Sequence, residues 1–183
     1  MDHFGQARQA IFAHGFDDLR LIDYRDLPEK GLTFDRIVSV GMMEHVGRDN
    51  YQTYYECANA LLRDGGLFLL HSITGNDEEM SDSFMRKYIF PGGFLPSVKL
   101  MERSVSAHTA LRITDRYSFG PHYAHTLRLW LQRFTANSAG ADALGFDRIF
   151  RRMWRFYLAY SEAGFASGYL DLHQLVLQPK ARS

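Results

Sequence analysis

The 183-residue sequence has almost no cysteine and no excess of charge of either sign. Cys57 is the single cysteine, which excludes an internal disulfide framework. The 21 lysines and arginines balance 21 aspartates and glutamates. This balance excludes the basic footprint of a nucleic-acid binder, and it gives no general attraction to anionic lipid. Any contact with lipid must therefore be local.

The sequence also lacks long apolar runs. No segment is apolar for long enough to cross a bilayer, and the first residues, MDHFGQARQA, lack the charged-then-apolar pattern of a signal peptide. We therefore expect a cytoplasmic protein. No internal repeat, low-complexity tract or linker divides the chain. With 46% hydrophobic and 23% charged residues, it should form one domain with a real core.

What the sequence does contain is an alternation of strand and helix patterns. FDRIVSV (34–40) and LFLLHSI (67–73) are apolar runs typical of strands that are covered on both faces. The segment between them (48–66) predicts an amphipathic helix stopped by glycines, which makes a right-handed parallel βαβ unit. LRLID (19–23) predicts a further strand, after a helix that stops at Gly15.

The rest of the chain continues this alternation. The patterns predict helices at 78–90, 98–109, 122–137 and roughly 142–162, a turn-rich loop at 91–97, and strands at 111–119 and 169–179.

Two polar side chains lie at the carboxyl ends of the strands in the βαβ unit. Glu44 lies just past RIVSV, and His71 ends LFLLH. Ligands of open parallel sheets bind beyond these ends, and adjacent strands lie roughly 5 Å apart, so both side chains can face one pocket. Alternatively, Glu44 caps a helix or pairs with a surface base, and His71 is a hydrogen-bonded core histidine. For His45 we favour a structural role.

Four motifs carry a family resemblance: FDRIVSVGMMEHVG, GGLFLLHSITG, YIFPGGFLPS and FGPHYAHTLRLW occur in this order. Over nearly the whole chain they resemble the cyclopropane-fatty-acyl-phospholipid synthases and the mycolic acid cyclopropane synthases. The resemblance implies the α/β, doubly wound, Rossmann-like sheet of S-adenosylmethionine-dependent methyltransferases. It also implies transfer of a methylene group from S-adenosylmethionine to the cis double bond of an unsaturated phospholipid acyl chain.

The resemblance implies catalytic roles for Glu44, His71 and Tyr123. Together with the backbone of Ile73, these residues are implied to hold a bicarbonate ion, the base that removes a proton as the ring closes. The residue types suit that chemistry, because imidazole and phenol donate to a small anion and a carboxylate accepts its hydroxyl proton. Without the resemblance, Tyr123 would be interpreted as a half-buried packing residue.

The resemblance also implies contacts for the cofactor and for the lipid. It places Tyr24 and Arg25 at the adenine of the cofactor, whereas the plainer interpretation is a solvated loop with an Asp–Arg pair. FMRKYIFPGGFLPS (84–97) matches a segment of the acyl channel, with Phe84, Tyr88, Phe90 and Phe94 as its aromatic members. Ser161 replaces a cysteine of well-known members. No metal site is predicted.

The sequence departs from the family most in its cofactor site. Such methyltransferases bind the cofactor with a glycine-rich turn, and this sequence contains no such turn. The resemblance places the first residue inside the helix after the second strand. We therefore expect residues 1–183 to be the C-terminal two thirds of one methyltransferase domain, lacking the first two strands and the glycine-rich loop. The last four strands would form a small mixed sheet with one exposed edge, and this chain alone would bind S-adenosylmethionine weakly.

Two other functions stay open. The FPGG region also resembles some plant N-methyltransferases, which would make the chain a methyltransferase of an amine or another small molecule. The missing glycine loop would also suit a catalytically silent remnant that binds lipid or a partner. The implied partners are unsaturated phospholipid acyl chains at the membrane surface, reached by peripheral association, and no nucleic acid; a homodimer stays open.

Overall fold

The computed structural model describes residues 19–76 and 82–180. Its strands are β1 (Phe34–Val40), β2 (Leu62–Gly75), β3 (Leu111–Ser118) and β4 (Leu170–Pro179). Its α-helices are α1 (Met43–Val46), α2 (Tyr51–Leu61), α3 (Val98–His108), α4 (Gly120–Ala136), α5 (Ser138–Ala143) and α6 (Arg148–Ala166). Short 3-10 turns occupy Tyr24–Asp26, Pro28–Lys30 and Arg48–Asn50, and a π-helical turn occupies Met85–Ile89.

The described strands form one mixed sheet in the order β1-β2-β4-β3. β1 and β2 are parallel, with Ile37 opposite Phe68 and Val40 opposite His71, so the predicted βαβ unit is confirmed. β4 runs antiparallel to both of its neighbours. The small mixed sheet expected from the last four family strands is therefore present.

Helices cover both faces of the sheet. On one face α2 and α3 bury a core that includes Tyr55, Phe68 and Met101. On the other face α4 and α6 pack around Leu127 and Leu158. Because side chains alternate along a strand, β2 sends Phe68 to the first layer and Ile73 to the second. His71, two residues before Ile73, shares the face of α4 and α6.

The predicted strand at 19–23 is wrong. Leu21 is 85% exposed, and the segment runs irregularly into the first 3-10 turn, where the carboxylate of Asp23 accepts a hydrogen bond from the backbone N–H of Arg25. A strand needs a neighbour to pair its backbone groups, and no strand among the described residues lies beside this segment. The helix predicted to stop at Gly15 lies outside the described residues.

Other differences concern boundaries. Of the helix predicted at 78–90, the described part contains the π-helical turn. The helix predicted from 142 is two helices, because Gly145 adopts φ of 85° and Asp147 starts α6 as its N-cap. No helix of the described ranges is both long and apolar enough to cross a membrane.

The outer edge of the sheet is open at β1. Val38 and Val40 are each 62% exposed, and no described strand pairs with this edge. The exposed apolar edge expected from the family comparison is therefore present.

Candidate functional site

A tight turn after β1 brings Glu44 against β2. Gly41 adopts φ of 61°, a left-handed conformation that favours glycine, and its N–H donates to the carbonyl of His71 at 3.0 Å. The chain then enters α1, in which Met43 and Glu44 are buried. Glu44 is 7% exposed, so its carboxylate lies inside the protein at the carboxyl end of the parallel pair.

The two carboxylate oxygens of Glu44 have different surroundings. Oε1 accepts a hydrogen bond of 2.7 Å from the backbone N–H of Ile73. Oε2 is buried and has no hydrogen-bond partner among the described residues. The backbone carbonyl of Glu44 accepts from the N–H of Phe94 at 3.0 Å, which ties the turn to the loop after the π-helical turn. A buried acceptor without a partner is costly unless a ligand or water satisfies it.

Glu44, Ile73 and Tyr123 line one cavity of about 160 Å³ between α1, β2, α4 and α6. The rest of its wall is mainly apolar and aromatic, and includes Met85, Phe90, Phe94, Leu127, Tyr157 and Phe165. Among the described residues, the cavity therefore combines one carboxylate, that of Glu44, with a surface suited to hydrocarbon.

The negative charge of Glu44 raises the pKa of two tyrosines, Tyr123 and Tyr51. Burial raises the pKa of Tyr123, and the negative charge of Glu44 raises that pKa further. The same two causes raise the pKa of Tyr51, whose buried hydroxyl has no hydrogen-bond partner among the described residues. Sequence reasoning missed Tyr51, since nothing distinguishes it among ten tyrosines.

His71 faces the same side of β2 as Ile73 but is not among the residues that line this cavity. Its Nδ1 lies 3.3 Å from the side-chain amide nitrogen of Gln174, on the neighbouring strand β4. Its ring meets the ring of Phe119 edge-on, at 5.5 Å between centroids. With the amide as donor, Nδ1 accepts, which leaves Nε2 as the ring nitrogen that can donate.

Tyr24 and Arg25 lie in the first 3-10 turn and border a separate cleft of about 230 Å³. Arg25 makes a two-point ion pair with Asp23, at 2.9 and 2.6 Å, as the plainer interpretation expected. The Tyr24 ring packs edge-on against Tyr54. His45 borders both this cleft and the cavity of Glu44, so the two spaces meet at α1.

The segment assigned to an acyl channel divides into two parts. Phe90 and Phe94 line the cavity, and Ser161 of α6 lies in the same wall. Phe84 and Tyr88 do not line it: Phe84 packs against Phe156 of α6, and Tyr88 is 53% exposed. The part of the chain that the structure describes has no cluster of three or more His, Cys, Asp or Glu side chains that could hold a metal ion.

Comparisons with known proteins identify the family of the chain. The family model described as mycolic acid cyclopropane synthetase matches residues 2–175. The chain is 45% identical over 179 residues to the tuberculostearic acid methyltransferase of Mycobacterium tuberculosis, covering 93% of the chain and 41% of that protein. It is 40% identical over 157 residues to the cyclopropane-fatty-acyl-phospholipid synthase of Escherichia coli, covering 85% and 40%. The chain thus spans about two fifths of the length of these relatives.

Solved structures show the same fold. A mycolic acid cyclopropane synthase complexed with SAH and CTAB matches with a TM-score of 0.81 at 30% identity, over 96% of this chain and 66% of that one. A second cyclopropane synthase, from Mycobacterium tuberculosis, matches with a TM-score of 0.81 at 26% identity, over 95% of this chain and 65% of that one. The four-stranded α/β sheet is therefore of the Rossmann-like methyltransferase type.

Proposed function

Since the chain belongs to the mycolic acid cyclopropane synthetase family, we propose that it transfers a methylene group from S-adenosylmethionine to the cis double bond of an unsaturated phospholipid acyl chain. The protein would meet these chains by peripheral association with the membrane surface. The observation that carries the proposal is the apolar cavity that contains the buried carboxylate of Glu44, whose Oε2 has no hydrogen-bond partner among the described residues.

The cavity suits a reaction that passes through a cation on a hydrocarbon chain. When bound, S-adenosylmethionine supplies a sulfonium methyl group for the alkene to attack, and ring closure requires loss of a proton from the added carbon. The apolar wall excludes water, which would otherwise add to the cation. The rings of Phe90, Tyr123 and Tyr157 present π faces and edges around the cavity, and such rings stabilise a passing cation without bonding to it.

The side chains at Glu44 fit a small anion that carries one hydroxyl group, as bicarbonate does. Oε2 of Glu44 can accept the hydroxyl proton, and the hydroxyl of Tyr123 can donate to a second oxygen. The resemblance implied that the backbone of Ile73 holds bicarbonate, but its N–H donates to Oε1 of Glu44 and so fixes the direction of the carboxylate. In this proposal bicarbonate supplies the base, and His71 contributes its Nε2–H from the edge of the site.

For the cofactor we propose the cleft of Tyr24 and Arg25, because it meets the acyl cavity at His45. A methyl donor on one side of α1 could then reach a double bond on the other. Tyr24 offers an aromatic face beside the adenine, and the ion pair with Asp23 holds Arg25 in place.

The experiment that tests the proposal uses the protein in the longest form that its gene encodes. The protein is incubated with methyl-labelled S-adenosylmethionine and vesicles of an unsaturated phospholipid, and the released fatty acids are separated by gas chromatography with mass spectrometry. We expect label in a cyclopropane fatty acid. Vesicles of a fully saturated phospholipid are the matched control and should take up no label.

Three outcomes would contradict this proposal in distinct ways. Label in a methyl-branched chain would keep the alkene as substrate and replace ring closure by methylation. Label on an added amine with none on lipid would favour a small-molecule methyltransferase. Binding to the vesicles without transfer of label to lipid or to an added amine would favour a catalytically silent remnant.

A further inference from the structure

The helix α6 carries a second apolar stripe that does not face the core. Ile149, Met153, Phe156 and Tyr160 recur at helical spacing, so they lie on one side of the helix. Ile149 is 75% exposed, Phe156 52% and Tyr160 41%. The opposite side, with Leu158 and Phe165, is buried against α4 and the sheet. We call the exposed stripe and its flanking arginines the outer face of α6.

Positive charge flanks this stripe. Arg148, Arg152 and Arg155 are exposed and project along one border of it, and none of them forms an ion pair within residues 19–76 and 82–180. Arg151 points elsewhere and pairs with Asp142. The first acidic residue of α6 is Glu162, and from outside the helix the carboxylate of Asp82 accepts a hydrogen bond from the hydroxyl of Tyr160, at the end of the stripe away from Arg148. In a chain of net charge +0, this is a local concentration of cations, as any lipid contact would require.

The outer face adjoins the cavity of Glu44. A surface groove of about 400 Å³ is bordered by Phe84 and by the outer-face residues Ile149, Arg152, Met153 and Phe156. The rings of Phe84 and Phe156 close its floor, 4.8 Å apart and edge-on. The residues next to them in sequence, Met85 and Tyr157, line the cavity. Groove and cavity are thus lined by adjacent residues of the same two segments.

We propose that the outer face of α6 docks on an anionic phospholipid surface, with its arginines at the phosphate groups and its apolar stripe in the acyl boundary. The proposal rests on the proposed function, because a lipid docked here would have its acyl chain beside the wall of the reaction cavity. An amphipathic helix with cations on one flank and large apolar side chains beside them matches both layers of a bilayer surface.

A bilayer fits this face better than other partners do. A second copy related by a two-fold axis would present the same face, and α6 supplies no carboxylate before Glu162 to pair with the arginines. A soluble acidic protein would satisfy the arginines but would need a matching apolar groove for Ile149 and Phe156. Anionic lipid supplies both the charge and the apolar layer without such a match.

The test is sedimentation of the 183-residue chain with vesicles of dioleoylphosphatidylcholine, with and without dioleoylphosphatidylglycerol. We expect the chain to partition onto the anionic vesicles and salt to weaken this partitioning. Arg152→Gln/Arg155→Gln should weaken it by at least roughly tenfold, given the usual contribution of each cation near an anionic surface. Lys30→Gln/Lys99→Gln removes the same charge from exposed positions on the α2 and α3 side and should change it little.

A second variant tests the apolar stripe. Ile149→Ser removes an exposed side chain that makes no core contact, so folding should be unaffected, as circular dichroism would verify. Partitioning onto anionic vesicles should fall by about tenfold, as expected for a large aliphatic side chain that is no longer buried in the acyl layer.

Several results would overturn the docking proposal: no binding of the wild-type chain to anionic vesicles, equal loss in the lysine control, or no loss in Ile149→Ser. Concentration-dependent self-association abolished by Ile149→Ser would assign the face to a second copy. Binding to an acidic acyl carrier protein but not to vesicles would assign it to a protein. The proposed function is tested separately by measuring methylene transfer from the wild-type protein to phospholipid in detergent micelles, where docking on a bilayer is not needed. Absence of transfer in micelles would contradict the proposed function and would leave the docking result to stand by itself.

Discussion

At the scale of single residues, the buried polar groups near Glu44 divide into those that are satisfied and those that are not. Oε1 of Glu44 and the hydroxyl of Tyr54 have partners, the latter donating to Ser39 Oγ at 2.7 Å. Oε2 of Glu44 and the hydroxyl of Tyr51 have none among the described residues. Protein interiors contain few such atoms, and those that persist mark places where function opposes stability.

This contrast predicts opposite effects of two matched substitutions. Tyr51→Phe removes a buried hydroxyl without a partner, so the free energy of unfolding should stay unchanged or rise by up to about 1 kcal/mol. Tyr54→Phe removes the hydroxyl that donates to Ser39 Oγ, so the free energy of unfolding should fall by about 1 kcal/mol. Urea denaturation of both variants measures the difference. A loss in Tyr51→Phe as large as that in Tyr54→Phe would mean that the Tyr51 hydroxyl has a partner.

His173 gives a prediction about pH. Burial lowers its pKa below the ordinary value of 6.5, the nearby carboxylate of Asp171 raises it in part, and Arg116 lowers it. Its Nδ1 lies 2.9 Å from Thr74 Oγ1, and its Nε2 lies 3.6 Å from Asp171 Oδ2. The unfolded chain therefore binds the proton more tightly than the folded chain. The stability that the neutral ring provides is present above pH 6.5 and is lost as the pH falls below it.

The check is urea denaturation at a series of pH values. The wild-type protein should lose stability between pH 6.5 and the more acidic range in which Asp171 titrates, and His173→Gln should flatten the curve in that window. His108→Gln, at the exposed end of α3, is the matched control and should keep the wild-type slope. Parallel curves for wild type and His173→Gln would contradict the assignment.

The sequence was sufficient to identify some residues of the site and insufficient for others. Glu44 could be placed because it follows a recognisable strand, and strand ends face the site in this class of sheet. Tyr123 was recognised only through the family motif, since an isolated tyrosine carries no positional signal. Tyr51 could not be found, because an unsatisfied hydroxyl depends on what surrounds it in three dimensions and not on its neighbours in the chain.

At the scale of elements, caps and turns explain where the helices begin. The carboxylate of Asp147 accepts a hydrogen bond of 2.7 Å from the N–H of Phe150, and Gly145 breaks the helix pattern just before it. The sequence pattern ran through this point, because the apolar spacing continues on both sides. A strand at 19–23 was wrongly predicted for a related reason. An apolar run forms a strand only where a neighbouring strand pairs its backbone N–H and C=O groups.

The start of α6 can be tested through its cap. Asp147→Ala removes the acceptor for the N–H of Phe150 and should lower the free energy of unfolding by about 1 kcal/mol. Asp147→Asn keeps an acceptor oxygen and should recover most of that loss, although it removes the charge that favours a helix N-terminus. Thermal denaturation of the two variants gives the comparison. Equal losses would show that charge, and not the cap hydrogen bond, holds the start of the helix.

At the scale of the whole molecule, the described residues form a four-stranded sheet with a helical layer on each face. The cavity of Glu44 lies between one of these layers and the carboxyl end of the parallel pair. The small mixed sheet with one exposed edge followed from the family resemblance, while the alternation of strands and helices followed from the apolar periodicity. Neither source could give the volume of the cavity or the separation of His71 from its wall, since both depend on side-chain packing across several elements.

We propose that the negative charge of Glu44 serves methylene transfer, while its Oε1 also ties α1 to β2 by accepting the hydrogen bond from the N–H of Ile73. The most direct measurement is the rate of label transfer from S-adenosylmethionine to an unsaturated phospholipid by Glu44→Gln and by wild type, per amount of folded protein, in the longest form that the gene encodes. Glutamine keeps the shape and removes the charge. We expect a rate at least roughly 30-fold lower, as for loss of about 2 kcal/mol of transition-state stabilisation, with unchanged cofactor affinity. Full turnover by Glu44→Gln would contradict it.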